Sequence, residues 1–285
     1  ERICKIDFIN NIALKIVMRS YKKADRVWTV SEASKQVLYD YGYKGEVDVV
    51  RNGTDYTYPD NPQELIQKVT LKHNIDLDNS VFIFVGRMAF YKNIKLIADA
   101  CKILDDKNKK FTMIFVGGGF ELDSFKNYVK GLQIKNRIIF TDNVNDRELI
   151  QGYFLTSDAL VFPSTFDMAS ITKVEAAAHK KPSIVVNGSC SAEEVIDGEN
   201  GYICEENAES VALKMLDVIE NREKAKRLGE NAYKTLYRTW DVLAIEVLEK
   251  YQKIIDKELL KKLVHDLGIR KNYSYHKLIS KGNDL

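Results

Sequence analysis

The feature that most restricts what this chain can fold into is an alternation that begins at Val81. Short apolar runs, "VFIFVG", "FTMIFVG", "RIIFTD", "DALVFPS" and "PSIVV", are separated by segments of helical pattern, "NIKLIADACKIL", "ELDSFKNYVKGL", "DRELIQGYF" and "ITKVEAAAH". Nearly continuous apolar runs suit strands buried on both faces, and each intervening helix is long enough to cross back to a parallel neighbour. The pattern predicts a doubly wound α/β domain with five strands between Val81 and Val186. Its crossovers should be right-handed, and its ligand should lie at the carboxyl ends of the strands.

The flanks add smaller pieces. Upstream, "DRVWTVSEASKQVLYDYGY" reads as a strand, a cap at Ser31 and a helix, and "VDVVRNGTDY" as a strand ending in an Asn-Gly turn. These are too few for a separate domain. Downstream of Ala208 the pattern is almost all helix through Leu267, with Gly229 a tolerated interruption and "RTW" at Arg238 to Trp240 a break. At the other end, "IDFINNIALKIVMRSYKK" predicts a helix with apolar Phe8, Ile9, Ile12 and Ile16 and basic Lys15, Arg19, Lys22 and Lys23. Packing in a core is the commoner fate of such a helix, and an amphipathic membrane anchor is the alternative. The stretch Lys257 to Leu285 carries seven Lys/Arg against three Asp/Glu and reads as a solvated terminus, with contact to acidic lipid head groups as the alternative.

Composition removes several function classes. At 285 residues the chain has room for one large domain with appendages, or for two. Hydrophobic residues at 45% and charged residues at 29% are ordinary for a globular protein, and a net charge of +2 offers no global basic excess for nucleic acid. Cys4, Cys101, Cys190 and Cys204 are widely spaced without a CxxC pattern, which predicts reduced thiols in a cytosolic setting. No apolar run approaches the roughly 18 residues that span a bilayer, and the amino end does not read as a signal peptide. His179 follows Glu175 by four residues, but His73, His265 and His276 supply no metal-ligand spacing. There is no GxSxG elbow and no Cys-His pattern of a nucleophilic enzyme.

The residues that could do chemistry sit where strands should end. In "VGRMAFYKN", Gly86 allows a tight turn while Arg87 and Lys92 project near the next helix start, where amides and the helix dipole already favour an anion such as a diphosphate. The alternative is that two surface cations decorate a loop. The run "FVGGGFELD", with Gly118 at its centre, also follows a strand and opens a helix. The third glycine of a dinucleotide fingerprint would fall at Leu122, however, so a nicotinamide site is disfavoured. Glycine there reads as permitting a sharp turn and close approach of a ligand to the backbone.

A third stretch, "FPSTFDMASITKVEAAAHKKP", places Asp167 in a loop and Glu175 about a turn and a half into a helix that begins near Ser170. Two carboxylates facing one polyol would accept hydrogen bonds from sugar hydroxyls, and the amides near Ser170 and Ile171 could hold a phosphate. The alternative is a helix charge and a solvated loop acid.

These motifs together, with "NGTD" at Asn52, "VGR" followed by Lys92-Asn93, "VGGG" before a helix, "SDALVFPS", an acid and Glu eight positions apart, "EEVIDGENGYIC", and Trp240 before a long helix, resemble the C-terminal half of the retaining glycosyltransferases of family four. The resemblance covers most of Ala24 to Asp256 and lies in the shared order of its motifs. It implies the Rossmann-like C-terminal domain of a GT-B fold, followed by a helical region. On that basis residues 1–55 are the remnant of an N-terminal domain and its linker, 56–240 a nucleotide-sugar-binding domain, and 241–285 C-terminal helices and a basic tail.

Carried onto this chain, the resemblance implies that Arg87 and Lys92 bind the donor diphosphate, Glu175 the nucleotide ribose and Asp167 the hydroxyls of the transferred sugar. Gly86, Gly118, Ser170 and Ile171 join the donor contacts, and the backbone of Ile138 to Asp142, including Ile139, meets the base. It further implies a nucleoside-diphosphate sugar as substrate, a UDP-sugar foremost, and no metal or other cofactor. The acceptor, a glycan or glycolipid, would be bound by the missing N-terminal domain. The protein is expected to be cytoplasmic, with peripheral contact at the inner face of the membrane as the alternative. Where the family usually reads Glu followed by Gly-Phe-Gly, this chain reads Asp167, Met168, Ala169 and Ser170. That departure leaves open a non-catalytic nucleotide-sugar-binding module or an interaction protein that has kept the fold.

Overall fold

Apolar side chains at every position of a short run can be buried only if both faces of the strand are covered, and this is what happens to β3 (Ser80–Val85) and β4 (Phe111–Val116) in the computed structural model, which describes residues 15–266. Their residues are almost all buried, with Phe84 stacked on Phe162 and Phe115 on Phe140. Around this pair the strands β5 (Arg137–Phe140), β6 (Ala159–Phe162), β7 (Ser183–Val186) and β8 (Tyr202–Cys204) complete a sheet in the order β5-β4-β3-β6-β7-β8, every pairing parallel. Among the described residues the sheet thus has six strands, the five expected up to Val186 and one beyond it. The extra one, β8, is a three-residue run after a turn, too short for its period to show.

The crossovers are helices: α2 (Pro62–His73) leads into β3, followed by α3 (Ile94–Asp106), α4 (Leu122–Gly131), α5 (Arg147–Thr156), α6 (Ile171–Ala178) and α7 (Ala208–Glu220). Several begin at the residue type that satisfies otherwise orphaned amides. Asp146 accepts from the amides of Glu148 and Leu149 at the start of α5, Ser170 from that of Lys173 at the start of α6, and Asn207 from that of Ser210 at the start of α7. The long helical region is broken twice: α7 ends at Asn221, which starts α8 (Arg222–Thr235), and α9 (Trp240–Asp266) follows. Only the second break was expected.

Upstream, β1 (Val27–Thr29) and β2 (Val47–Val49) pair in parallel around α1 (Glu32–Asp40), whose cap is Ser31, as expected. The helix ahead of them is described from residue 15 to residue 21. Its core-facing residue is Met18, packed with Val27, Tyr43 and Val47, while Ile16 is 58% exposed. This corrects the expected apolar face as far as Ile16 is concerned; Phe8, Ile9 and Ile12 lie outside the described residues. Cys101, Cys190 and Cys204 are free thiols, and Cys4 lies outside the described residues, as does the tail beyond Asp266. The described residues up to Leu243 form one compact unit and those from Ala244 a second, which consists of the remainder of α9.

Candidate functional site

Parallel strands all point their carboxyl ends one way, so the loops after β3, β4 and β6 gather at one edge of the sheet. The first two are locked together through the backbone: the Gly86 amide donates to the Val116 carbonyl (3.0 Å) and the Met88 amide to the Gly118 carbonyl (2.9 Å). Glycine is required here because a Cβ on Gly117 would lie 2.2 Å from the Gly86 oxygen and one on Gly119 2.5 Å from the Met88 oxygen. Part of the close approach these glycines permit is therefore that of the neighbouring loop. Gly118 differs, since a Cβ there would meet the flexible side chain of Asn143. Glu121 adds a tie by accepting from the Phe90 amide at 2.6 Å.

On this platform Arg87 is exposed and makes no side-chain hydrogen bond or ion pair with a described residue. Lys92 is engaged: its ammonium donates to both carboxylate oxygens of Asp167, at 2.7 and 3.0 Å, and lies 5.4 Å from the Phe162 ring centroid. Asp167 also accepts from the Ser164 hydroxyl at 2.5 Å. Asn93, held in the left-handed conformation at φ 60°, donates to the Pro163 carbonyl (2.9 Å) and to Glu206 (2.7 Å), and Thr165 donates to the same Glu206 oxygen at 3.1 Å. Glu206 escaped the sequence reading, and Asn93 and Ser164 entered it only within quoted motifs, without a role.

The third stretch is placed by α6. Ser170 is buried, and its hydroxyl caps Lys173 at 3.2 Å, while the first-turn amides of Ile171 and Thr172 have no acceptor within the helix. Ile171 is exposed. One turn on, Glu175 is half-buried within a different group. Burial raises its pKa to about 7, the Arg147 guanidinium opposing and Asp55 adding to the rise. Arg147 in turn lies 3.3 Å from Asp55 and 4.9 Å from the Tyr56 ring centroid. The structure thus joins Lys92 to Asp167 directly, and sets Glu175 among Arg147, Asp55 and Tyr56. Ile139 is buried on β5 and pairs with Ile114, so its side chain belongs to the core and only its backbone is on offer.

A residue without any sequence cue, Lys173, is buried in the first turn of α6 and donates to the Glu193 carbonyl at 2.6 Å. Burial lowers its pKa to about 8. The Glu193 carboxylate accepts from the amides of Glu32 and Ala33 at the start of α1, and Glu194 is paired with Arg51 and Arg238. Among the described residues, no group of three or more His, Cys, Asp or Glu side chains could hold a metal ion, and no helix is long and apolar enough to cross a membrane.

Comparison with known proteins gives this geometry a context. The family model described as glycosyl transferases group 1 matches residues 66–235. An uncharacterized glycosyltransferase of Haemophilus influenzae is 25% identical over 198 residues, which cover 69% of this chain and 52% of that protein. The alpha-1,3/1,6-mannosyltransferase ALG2 of Dictyostelium discoideum is 25% identical over 215 residues, covering 70% of this chain and 50% of its own length. The chain spans about half the length of these curated relatives. Among solved structures, Anabaena Alr3699/HepE in complex with UDP and glucose superposes with a TM-score of 0.72 at 21% identity, covering 85% of this chain and 67% of that one. The fold is therefore that of GT-B glycosyltransferase structures.

Proposed function

The chain belongs to the glycosyl transferases group 1 family, and from that premise we propose that it is the donor-binding half of a retaining glycosyltransferase of family four. The reaction is transfer of a sugar from a nucleoside-diphosphate sugar, a UDP-sugar foremost, to a glycan or glycolipid acceptor. The observation that carries this reading is the Lys92 and Asp167 pair, anchored by Ser164 and set in the loops that follow β3 and β6. The bound UDP and glucose of the Anabaena relative by fold support the nucleotide sugar. An acceptor-binding domain, of which residues 1–55 are the last part, belongs to the same proposal and rests on the resemblance.

In this reading the leaving diphosphate gathers negative charge as the anomeric carbon becomes oxocarbenium-like, and fixed cations are needed where that charge grows. Arg87 is unpaired and available for it. Lys92 is already oriented by Asp167, so it reaches the site without the cost of ordering a free lysine side chain. Asp167 accepts from the hydroxyls of the donor sugar, the Ile171 and Thr172 amides meet phosphate oxygens, and Glu175 accepts from the ribose. The diphosphate is met by protein cations without a metal ion. Location in the cytoplasm belongs to the same proposal and rests on the widely spaced cysteines without a CxxC pattern, with contact at the inner face of the membrane as the alternative.

Calorimetric titration with UDP, GDP and ADP tests the reading, alongside Arg87→Ala and Glu175→Ala. One nucleotide should bind, and both substitutions should weaken it. Binding that neither substitution affects would remove Arg87 and Glu175 from the site. Absence of binding in an otherwise complete longer protein would favour an interaction protein that has kept the fold. In that longer protein Arg87→Ala should lower turnover by about 10²-fold or more, the scale of losing one preorganised electrostatic donor.

A further inference from the structure

A second polar cavity, of about 270 Å3, lies away from the donor loops. It is lined by Tyr58, Asp158, His179, Lys180, Lys181, Arg222 and Lys226, together with acids considered below. Asp158 directly precedes β6 and Lys181 precedes β7 by two residues, so the cavity opens at the amino ends of the strands, the opposite edge of the sheet from the candidate donor site.

Local structure gathers positive charge there. The turn after α6 holds Lys180 at φ 58°, in a left-handed position that glycine usually fills, so the chain keeps a side chain at some backbone cost. Gly229 lets α8 pack onto that turn, since a Cβ on it would lie 2.0 Å from the Lys180 carbonyl oxygen. That approach brings Lys226, about one turn earlier on α8, to the same cavity.

The acids present do not neutralise this group. The Asp158 carboxylate accepts from the Arg222 guanidinium at 3.1 Å and from the Val81 amide at 2.8 Å, and Glu230 is paired with Lys180 at 3.2 Å. Lys181 spends one of its three N–H donors, on the Leu155 carbonyl at 3.0 Å. Lys226 makes no ion pair with a described residue, and neither does Glu223. Burial lowers the Lys181 pKa to about 8, with Asp158 opposing and the charges of Arg222 and Lys226 adding to the fall. Two ammonium groups are thus left over against one carboxylate, in a space larger than a bare anion requires.

We propose that this cavity is a second ligand site, for a small phosphate monoester whose phosphoryl group is held by Lys181 and Lys226, with Tyr58 at the cavity wall beside its organic part. Arg222 frames the site, its donors being taken by Asp158 and by the Leu77 and Asp78 carbonyls. Converging ammonium donors suit a dianion with several acceptor oxygens. The site goes beyond the donor reading and does not depend on it, because it shares no residue with the loops after β3 and β4.

Calorimetric titration with inorganic phosphate and with ribose 5-phosphate tests the proposal. Saturable one-to-one binding is expected, tighter for the ester and unaffected by a saturating concentration of UDP. Lys226→Ala, at an exposed position that leaves the fold intact, should weaken it about tenfold, the scale of one charge-assisted hydrogen bond. Lys226→Glu should weaken it further, and Arg87→Ala should leave it unchanged. Lack of saturation by either phosphate overturns the proposal. So does binding that Lys226→Ala and Lys226→Glu leave intact, or binding that UDP displaces and Arg87→Ala abolishes.

Discussion

The Lys92 ammonium bridges both carboxylate oxygens of Asp167, at 2.7 and 3.0 Å, across 75 residues of sequence. The side chains are 13% and 25% exposed, so solvent screens the pair less than it would a surface contact. Such a pair should act as a unit. In a cycle of Lys92→Ala, Asp167→Ala and the double variant, nucleotide-sugar affinities measured by calorimetry should be non-additive by about 1–2 kcal/mol. Additivity within about 0.3 kcal/mol would show that the two residues contribute separately.

Glu175 gives the proposed donor site a pH signature. Its folded pKa, raised by burial to about 7, means that the carboxylate is half protonated near neutrality. If the ionised form accepts ribose hydroxyls, nucleotide affinity should rise as pH increases from 6 to 8, by about the change in ionised fraction. The nucleotide phosphate titrates nearby, so the decisive comparison is with Glu175→Gln, which should lose the protein's share of the slope. Identical pH profiles for the two proteins would rule out a titrating Glu175 contact.

The glycine run separates backbone need from ligand need. Gly117→Ala forces a Cβ within 2.2 Å of the Gly86 carbonyl oxygen at φ 128°, whereas Gly118→Ala meets only the movable Asn143 side chain. Urea unfolding should show Gly117→Ala destabilised by about 1–3 kcal/mol or more, and Gly118→Ala by much less. Equal losses would mean that Asn143 cannot yield.

Asp105 is a buried acid with a structural role. It is 5% exposed and accepts from the amides of Lys135 and Asn136 and from the Asn136 side chain, at 2.7 to 3.0 Å. Burial pushes its pKa up, but those hydrogen bonds outweigh the effect and hold it below the ordinary carboxylate value. A depressed folded pKa stabilises above the unfolded pKa, about 3.9, and the contribution is lost as pH falls through the lower folded value. Asp105→Ala should therefore cost about 3 kcal/mol at neutral pH by leaving donors unpaired. The gap to the unsubstituted protein should narrow in acid, which denaturant titrations at pH 7 and pH 3 would reveal.

Much of the site's outline was legible because it is local. Strand ends, helix starts and the residue types between them are set by neighbours a few positions apart, so Arg87, Lys92, Asp167 and Ser170 could be picked out from sequence. Their partners could not. Asp167 reaches Lys92 across 75 residues, and Glu206 lies 113 residues from Asn93, the residue that binds it. Gly229 looked like an interruption in a helix, yet it is the point where α8 touches the turn at Lys180.

Alone, then, the amino-acid order determined the alternation of strand and helix, the caps at Ser31 and Ser170, and the burial of the central strands, because periodicity and capping are short-range physics. Tertiary structure decided the rest. β6 pairs directly with β3 while β4 takes the other side of β3, which sets the loop carrying Asp167 beside the loop carrying Lys92. The same packing left Glu175 among Arg147, Asp55 and Tyr56, and made Met18 rather than Ile16 the buried residue among those described in its helix. Those outcomes depend on which elements become neighbours in space, and residues far apart in a chain carry no periodic trace of the partner they will meet.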